Sequence, residues 1–242
     1  MPRTALPFLL AAALAGCGGG EAPAESGTAI WETPDLPWPW TMEVAGEPVP
    51  EDVLRPYLES EWADFANAVA LRPENALAAL DDFCADPEAR FGPLVGDVLL
   101  LREGERRFPV LDLAEYEDYL AEMTAATGAA VEALRRKLGE DGLRRFVERR
   151  LRLEKTMDAL AGETAEPSAE ELAAAYQEKI AALESAPGAP PPTFEELAPR
   201  LRAEWRRERW YEAGRAWIER ARQGVEARVT RPDGRILVVP AP

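Results

Sequence analysis

The chain has 242 residues, 28 of them basic and 44 acidic, for a formal net charge of −16. Such an excess of carboxylates repels nucleic acid and leaves no polybasic patch for anionic lipid. There is no histidine, which removes the usual general base, histidine-based triads and most zinc sites. The length suits one good core or two small ones.

The first sixteen residues, MPRTALPFLLAAALAG, place Arg3 ahead of an apolar run from Ala5 to Ala15 that ends in small residues. That is the layout of a secretory signal peptide. The run is shorter than the roughly 20 apolar residues a spanning helix needs. Leu14-Ala15-Gly16-Cys17 follows and resembles the bacterial lipobox, which implies that Cys17 is acylated and becomes the first residue of the mature chain. The alternative is an ordinary signal peptide with a chance cysteine. Cleavage would remove one charge, Arg3, and take the balance to −17. Several acyl chains anchor a protein where one is marginal. Gly18, rather than aspartate, resembles the outer-membrane sorting pattern of Gram-negative bacteria. The chain has two cysteines, so lipidation leaves Cys84 alone and no internal disulfide can form. Beside Phe83, Cys84 reads as a small buried residue. The preponderance of arginine over lysine reads as genome base bias.

Residues 17–40 are rich in glycine, proline, alanine and acids, and read as a tether. About 22 such residues reach roughly 25 Å. Trp31, Trp38 and Trp40 stand near its end. They read either as an arm docked on the folded body or as groups that bind the membrane interface or polypeptide. "TMEVAGEPV", 41–49, predicts a short strand with a glycine turn. Pro50-Glu51-Asp52 opens a helix, with a kink or late start expected at Pro56. Leu58, Trp62, Phe65 and Val69 form its apolar stripe. Residues 73–92 read as a short helix and a turn without firm boundaries. A helix is expected over 93–107, with a hairpin at 102–105 as the competing reading. A break falls at Phe108-Pro109.

Asp112, with Glu115 three residues on, caps the next helix. Leu113, Tyr116, Leu120 and Met123 share its apolar face, and Gly128 closes it. A further helical region runs from Ala130 to Leu160. It carries Val131, Leu134 and Leu138, then Leu143, Phe146, Val147, Leu151 and Met157, with weak points at Gly139 and Gly142. The arginines between them read as its wet side. Ser168–Glu171 and Thr193–Glu196 are capping boxes. They open helices to about Leu183 and Arg222, separated by the proline-rich stretch 184–192. The second helix is apolar on several sides, which places it among other helices. Gly224 ends it, and "VEARVTRPDGRILVV" predicts a hairpin over 225–239. The strand near 41–45 is its natural partner. The expected fold is mainly α: a multi-helix domain over 41–239, with a small antiparallel β element joining the N-terminal strand to the C-terminal hairpin.

Acid pairs such as Asp81-Asp82 and Glu140-Asp141 could do carboxylate chemistry. Adjacent residues on a helix do not face each other, however, and both pairs read as solvated surface. The sequence holds no glycine-rich phosphate loop and no nucleophile elbow.

The succession "LVGDVLLLREGERR", "DLAEYEDYLAEM", "VEALRRKL", "PSAEELAAAYQEK" and "TFEELAPRLRAEW" resembles the helical N-terminal domain of SurA/PrsA-type periplasmic chaperones. The resemblance covers most of residues 41–230 and rests on the order of degenerate helical motifs. In that family the fourth segment usually leads into a parvulin prolyl-isomerase domain. Here only 184–192 lie between it and the fifth, and a folded domain needs about 50 residues. Parvulin sites also characteristically include histidine, so the enzymatic part does not carry over. Gly104 inside a helix, Phe108 where the family tends to glycine, and the extra segment near 73–92 depart from the pattern.

The resemblance implies a non-catalytic chaperone-like lipoprotein facing the periplasm. Its expected partners are unfolded or extended polypeptides and the membrane through Cys17, with no cofactor, metal or small-molecule substrate. The alternatives are an adaptor lipoprotein for one folded envelope protein and, further off, a prolyl isomerase. Metabolic labelling with a radioactive fatty acid is expected to mark the wild-type chain in the membrane fraction. Cys17→Ser should abolish the label and release the protein.

Overall fold

A computed structural model describes residues 34–162, 167–183 and 192–241. The leader 1–16, Cys17, Trp31 and most of the stretch 184–192 lie outside the described residues. The chain runs through β1 (Thr41–Val44), β2 (Glu47–Pro48), α1 (Glu51–Ala68), a 3-10 turn (Pro73–Asn75) and α2 (Leu80–Phe83). It continues through α3 (Pro87–Arg107), α4 (Leu113–Ala161), α5 (Ala169–Leu183), α6 (Phe194–Ala221), β3 (Ala227–Thr230) and β4 (Ile236–Val239). The fold is mainly α with one small antiparallel sheet, as expected. None of the helices among the described residues is long and apolar enough to cross a membrane.

The sheet has the order β2-β1-β3-β4. Thr41 to Val44 pair in register with Thr230 to Ala227. Alternation along β1 and β3 buries Met42, Val44, Ala227 and Val229 and turns Glu43 and Arg228 outward, as a half-buried pleated surface requires. Arg102 on α3 donates to the carbonyls of Val44 at 2.8 Å and Glu47 at 3.0 Å, fixing the β1–β2 turn. Arg231, in the β3–β4 turn, is buried and donates to Asp81 at 2.6 Å and Asp233 at 2.8 Å. Hydrogen bonds from Arg231 and Arg235 hold the Asp81 carboxyl below its usual range.

The main core lies between the sheet, α1, α2 and α3. Its centre is aromatic. The Trp62 and Phe83 rings stand edge-to-face at 5.2 Å, Phe65 meets Phe83 at 5.5 Å, and Trp40 lies 6.2 Å from both Phe83 and Phe91. Such pairs add to the stabilisation from buried area. Phe83 comes from the segment whose boundaries were open in the sequence, so the short helix there is a core element. Cys84 beside it is buried, which pushes its thiol up to about 11.

Several expectations need correction. Residues 34–40 pack on this core, so that end of the expected tether belongs to the folded body. Trp62 donates to the Pro34 carbonyl and Trp40 to that of Pro37, both at 2.7 Å. Helix α1 starts at Glu51 and continues through Pro56, so there is no late start. It ends at Ala68, which leaves Val69 past the helix and exposed. Helix α3 begins at Pro87, six residues earlier than expected. Asp86 caps it by accepting from the Ala89 N–H at 2.9 Å, and proline suits the first turn. Helix α4 departs from helical dihedrals at Thr127, one residue before the expected stop, and at Gly139. The second break has φ of 70°, a conformation that favours glycine. Leu138, just before it, is exposed.

These breaks let the start of α4 lie against its end. Lys155 bonds Glu115 at 2.7 Å, Tyr119 donates to Glu154, and a satellite core forms around Val131, Leu143 and Val147. The arginines of this stretch are not simply its wet side. The side chains of Arg149, Arg150 and Arg152 are only 17–23% exposed. Arg149 pairs with Asp52 on α1 at 2.5 Å, Arg150 donates to Tyr119 at 2.9 Å, and Arg152 donates to the Phe108 carbonyl at 3.1 Å. Their aliphatic stems cover apolar surface while the heads reach fixed partners.

The aromatic centre generates a stability prediction. Trp62→Ala is expected to cost about 3–5 kcal/mol in urea unfolding, and the half-buried Trp38→Ala much less.

Candidate binding groove

Helices α3 and α6 run beside each other, and the end of α4 closes one side of the space between them. On α3, Ala89, Gly92, Pro93 and Gly96 fall at helical spacing on one face. On α6, Tyr211, Gly214, Arg215 and Ile218 do the same. The two faces bound an open groove of about 750 Å³. Met157 of α4, fully buried, sits at its floor.

Small residues make this geometry possible. A Cβ on Gly96 would stand 2.8 Å from Cγ2 of Ile218, and one on Gly214 would stand 2.5 Å from Cε of Met157. Both distances are shorter than side-chain carbons tolerate. The helices therefore approach where glycine permits and part where Ala89 and Pro93 leave space. Trp210 fixes α6 to α4 by donating to Asp158 at 2.9 Å.

The polar groups lie around this apolar floor. Arg222, at the end of α6, donates to Oε1 of Glu88 on α3 at 2.7 Å. The second oxygen of Glu88, Nε of Arg222 and the Tyr211 hydroxyl are buried without a hydrogen-bond partner. Burial raises the Tyr211 phenol above its ordinary value, with Arg207 opposing. Asp97 is buried on α3 and also lines the groove. Arg215 pairs with Glu219 at 3.0 Å along the outer rim, and Arg209 with Glu212 at 3.0 Å. Among the described residues no three acidic or cysteine side chains are grouped to hold a metal ion. The arrangement suits non-covalent binding: an apolar floor, polar edges and access from solvent.

Of the residues singled out in the sequence for polypeptide binding, Trp31 lies outside the described residues, and Trp38 and Trp40 do not line this groove. Trp40 is 2% exposed, with its ring between Phe83 and Phe91. It has no surface to offer a ligand, and its assignment to binding is corrected to a core role. Trp38 is half-buried, and the Arg55 guanidinium lies 4.5 Å from its ring centre. The groove residues are masked in the sequence because Gly92 and Pro93 look like helix breakers. The available signal was the recurrence of small residues at 89, 92, 93 and 96, the spacing of one helical face.

The chain was compared with protein-family models, curated proteins and solved structures, and it matches none of them.

The two glycine contacts predict different mutational costs. Met157 Cε is the free end of a flexible side chain, so Gly214→Ala should be nearly neutral, its crowding offset by helix propensity. Ile218 is β-branched and stiff. Gly96→Ala should therefore lower stability by about 1–2 kcal/mol in urea unfolding.

Proposed function

We propose that this chain is a lipid-anchored, periplasm-facing, chaperone-like protein that holds unfolded or extended polypeptide segments without catalysing a reaction. The observation that carries the reading is the open groove between α3 and α6. Along α3 it extends from Asp86 to Asp97, about 16 Å at 1.5 Å per residue. An extended segment of about five residues has that length. The floor is apolar and shaped by glycines rather than by a deep specific pocket, so it favours apolar side chains without selecting one. Binding of that kind is weak and broad.

Three further features support the reading. The signal-like leader and Cys17 direct the chain out of the cytoplasm and hold it at a membrane. Confinement there raises its effective concentration for segments emerging nearby. The net charge of −16 opposes self-association while apolar surface stays open. The order of sequence motifs resembles the SurA/PrsA type, and three helices of that succession, α3, the end of α4 and α6, line the groove.

The test is suppression of aggregation of an unfolded outer-membrane β-barrel protein, read by light scattering. Near-stoichiometric protein should suppress it. Ala89→Trp, which fills the groove from its exposed rim, should remove most of the effect while circular dichroism and melting stay unchanged. No suppression by the wild-type chain would refute the proposal. Recovery of one folded envelope protein at a fixed ratio in pull-downs, with no unfolded clients, would favour the adaptor role.

A further inference from the structure

We propose that β4 pairs antiparallel with β4 of a second copy of this chain, about a two-fold axis at Leu237. The proposal does not depend on what the groove holds. Strand β4 is the last in the order β2-β1-β3-β4 and forms one edge of the sheet. Its free groups follow from the register. The Arg231 N–H donates to the Arg235 carbonyl at 2.9 Å, and hydrogen-bonded pairs alternate along an antiparallel ladder. Leu237 opposite Val229 and Val239 opposite Ala227 therefore turn their backbone groups to β3. Ile236 and Val238 turn theirs away from it. Among the described residues no backbone group bonds them on that side.

The two edges of the sheet are treated differently. Strand β2 is two residues long, one of them Pro48, and its Glu47 carbonyl accepts from Arg102 at 3.0 Å. Strand β4, Ile-Leu-Val-Val, carries no proline and no charge, and its register is regular. Those are the usual devices that keep an edge from accepting another strand. Its outward side chains are apolar as well. Ile236 is 63% and Val238 49% exposed, on a sheet face where Thr41, Glu43 and Arg228 are also exposed. Unpaired donors and acceptors at alternate residues are matched by an extended backbone.

Two arguments assign that backbone to a second copy. The first is energetic. Ordering a residue of a flexible segment costs about as much as a hydrogen bond returns, whereas β4 is already ordered in both copies. The second is register. With Leu237 on the axis, Ile236 stands opposite the partner's Val238, and Val238 opposite the partner's Ile236. Both are residues with free backbone groups, so the pairing closes four hydrogen bonds. It also sets two β-branched pairs side by side. Pro240 would be the next residue of the same orientation, and it has no N–H. With β4 used and β2 guarded, assembly stops at two. The contact is small against the roughly 20–30 residues a side of a stable interface. Two copies of net charge −16 also repel. The dimer is therefore weak, and it tightens as salt screens the repulsion.

The test is sedimentation equilibrium on the full chain carrying Cys17→Ser, over about 0.01–1 mM protein. The chain should pass from monomer to dimer over this range, with nothing larger. Raising salt from about 0.05 to 0.5 M should tighten the dimer about threefold. Val238→Pro removes an outward N–H that β3 does not use, and should weaken association at least about tenfold. Ile236→Lys leaves the backbone intact and lowers the net negative charge by one. It should weaken the dimer comparably, with melting unchanged, although general repulsion falls.

A chain that stays monomeric throughout overturns the proposal. So does association that Ile236→Lys leaves unchanged, which places the contact elsewhere, and so does growth past two. A monomer whose edge instead takes up a free peptide of alternating valine and threonine, lost in Ile236→Lys, also overturns the second-copy assignment. None of these outcomes bears on suppression of aggregation by the groove.

Discussion

The pairing of β1 with β3 is the constraint on which the rest of this structure depends. Four residues near the start of the folded body, Thr41–Val44, are held in register against Ala227–Thr230 near its end. Closing a loop of that length costs entropy, but only as the logarithm of its length, and the buried faces of the two strands outweigh it. One consequence is local: Met42, Val44, Ala227 and Val229 complete the core against α1 and α3. The other is remote. Helix α6 runs into β3 through Gly224, so anchoring β3 also anchors the end of α6. Arg222 is thereby delivered to Glu88 at the start of α3, and the two helices flank a groove whose ends are fixed.

The body is strongly acidic, yet arginine organises much of it. Arg102, Arg149, Arg152 and Arg231 each reach partners on another element or an adjoining loop. In two of these the acceptor is a backbone carbonyl, and in Arg231 the guanidinium is itself buried and reaches two carboxylates, arrangements in which a forked planar donor gives more than a point charge would. The cationic heads are used up in fixing the frame. The acids outnumber them and most stay exposed, so the negative charge of the composition becomes a negative charge of the exterior.

How far the sequence revealed this depends on the range of the forces involved. The strands, the final hairpin and both capping boxes follow from local chemistry, namely alternation, glycine turns and side-chain oxygens near free N–H groups. Each is found where that chemistry puts it, and Thr193 and Glu196 form the full reciprocal box. Trp40 was ambiguous because a tryptophan among prolines looks the same whether it docks at home or elsewhere; only the pocket formed by Phe83 and Phe91 decides it. The start of α3 is hidden in the sequence because Gly92 and Pro93 oppose a helix locally. Tertiary contacts override that preference: Gly96 allows α3 and α6 to approach where Ile218 would meet a larger residue. The groove was illegible for the same reason, since its two walls lie more than a hundred residues apart.

The shortness of the groove bears on how it could hold anything. Burying one large apolar side chain gains roughly 1.5–3 kcal/mol, while ordering each residue of a flexible segment costs roughly 1–2 kcal/mol. Over about five residues the two nearly cancel, because alternate side chains of an extended segment point away from the floor. Apolar contact alone therefore leaves little net affinity here, whatever the sequence of the segment. The balance is tipped by a term that needs no further length of groove: confinement at a surface, which raises local concentration without any new contact. In the proposed role, an acyl anchor at Cys17 would then be part of the binding itself, and weak contact becomes an advantage because a held segment must also be released.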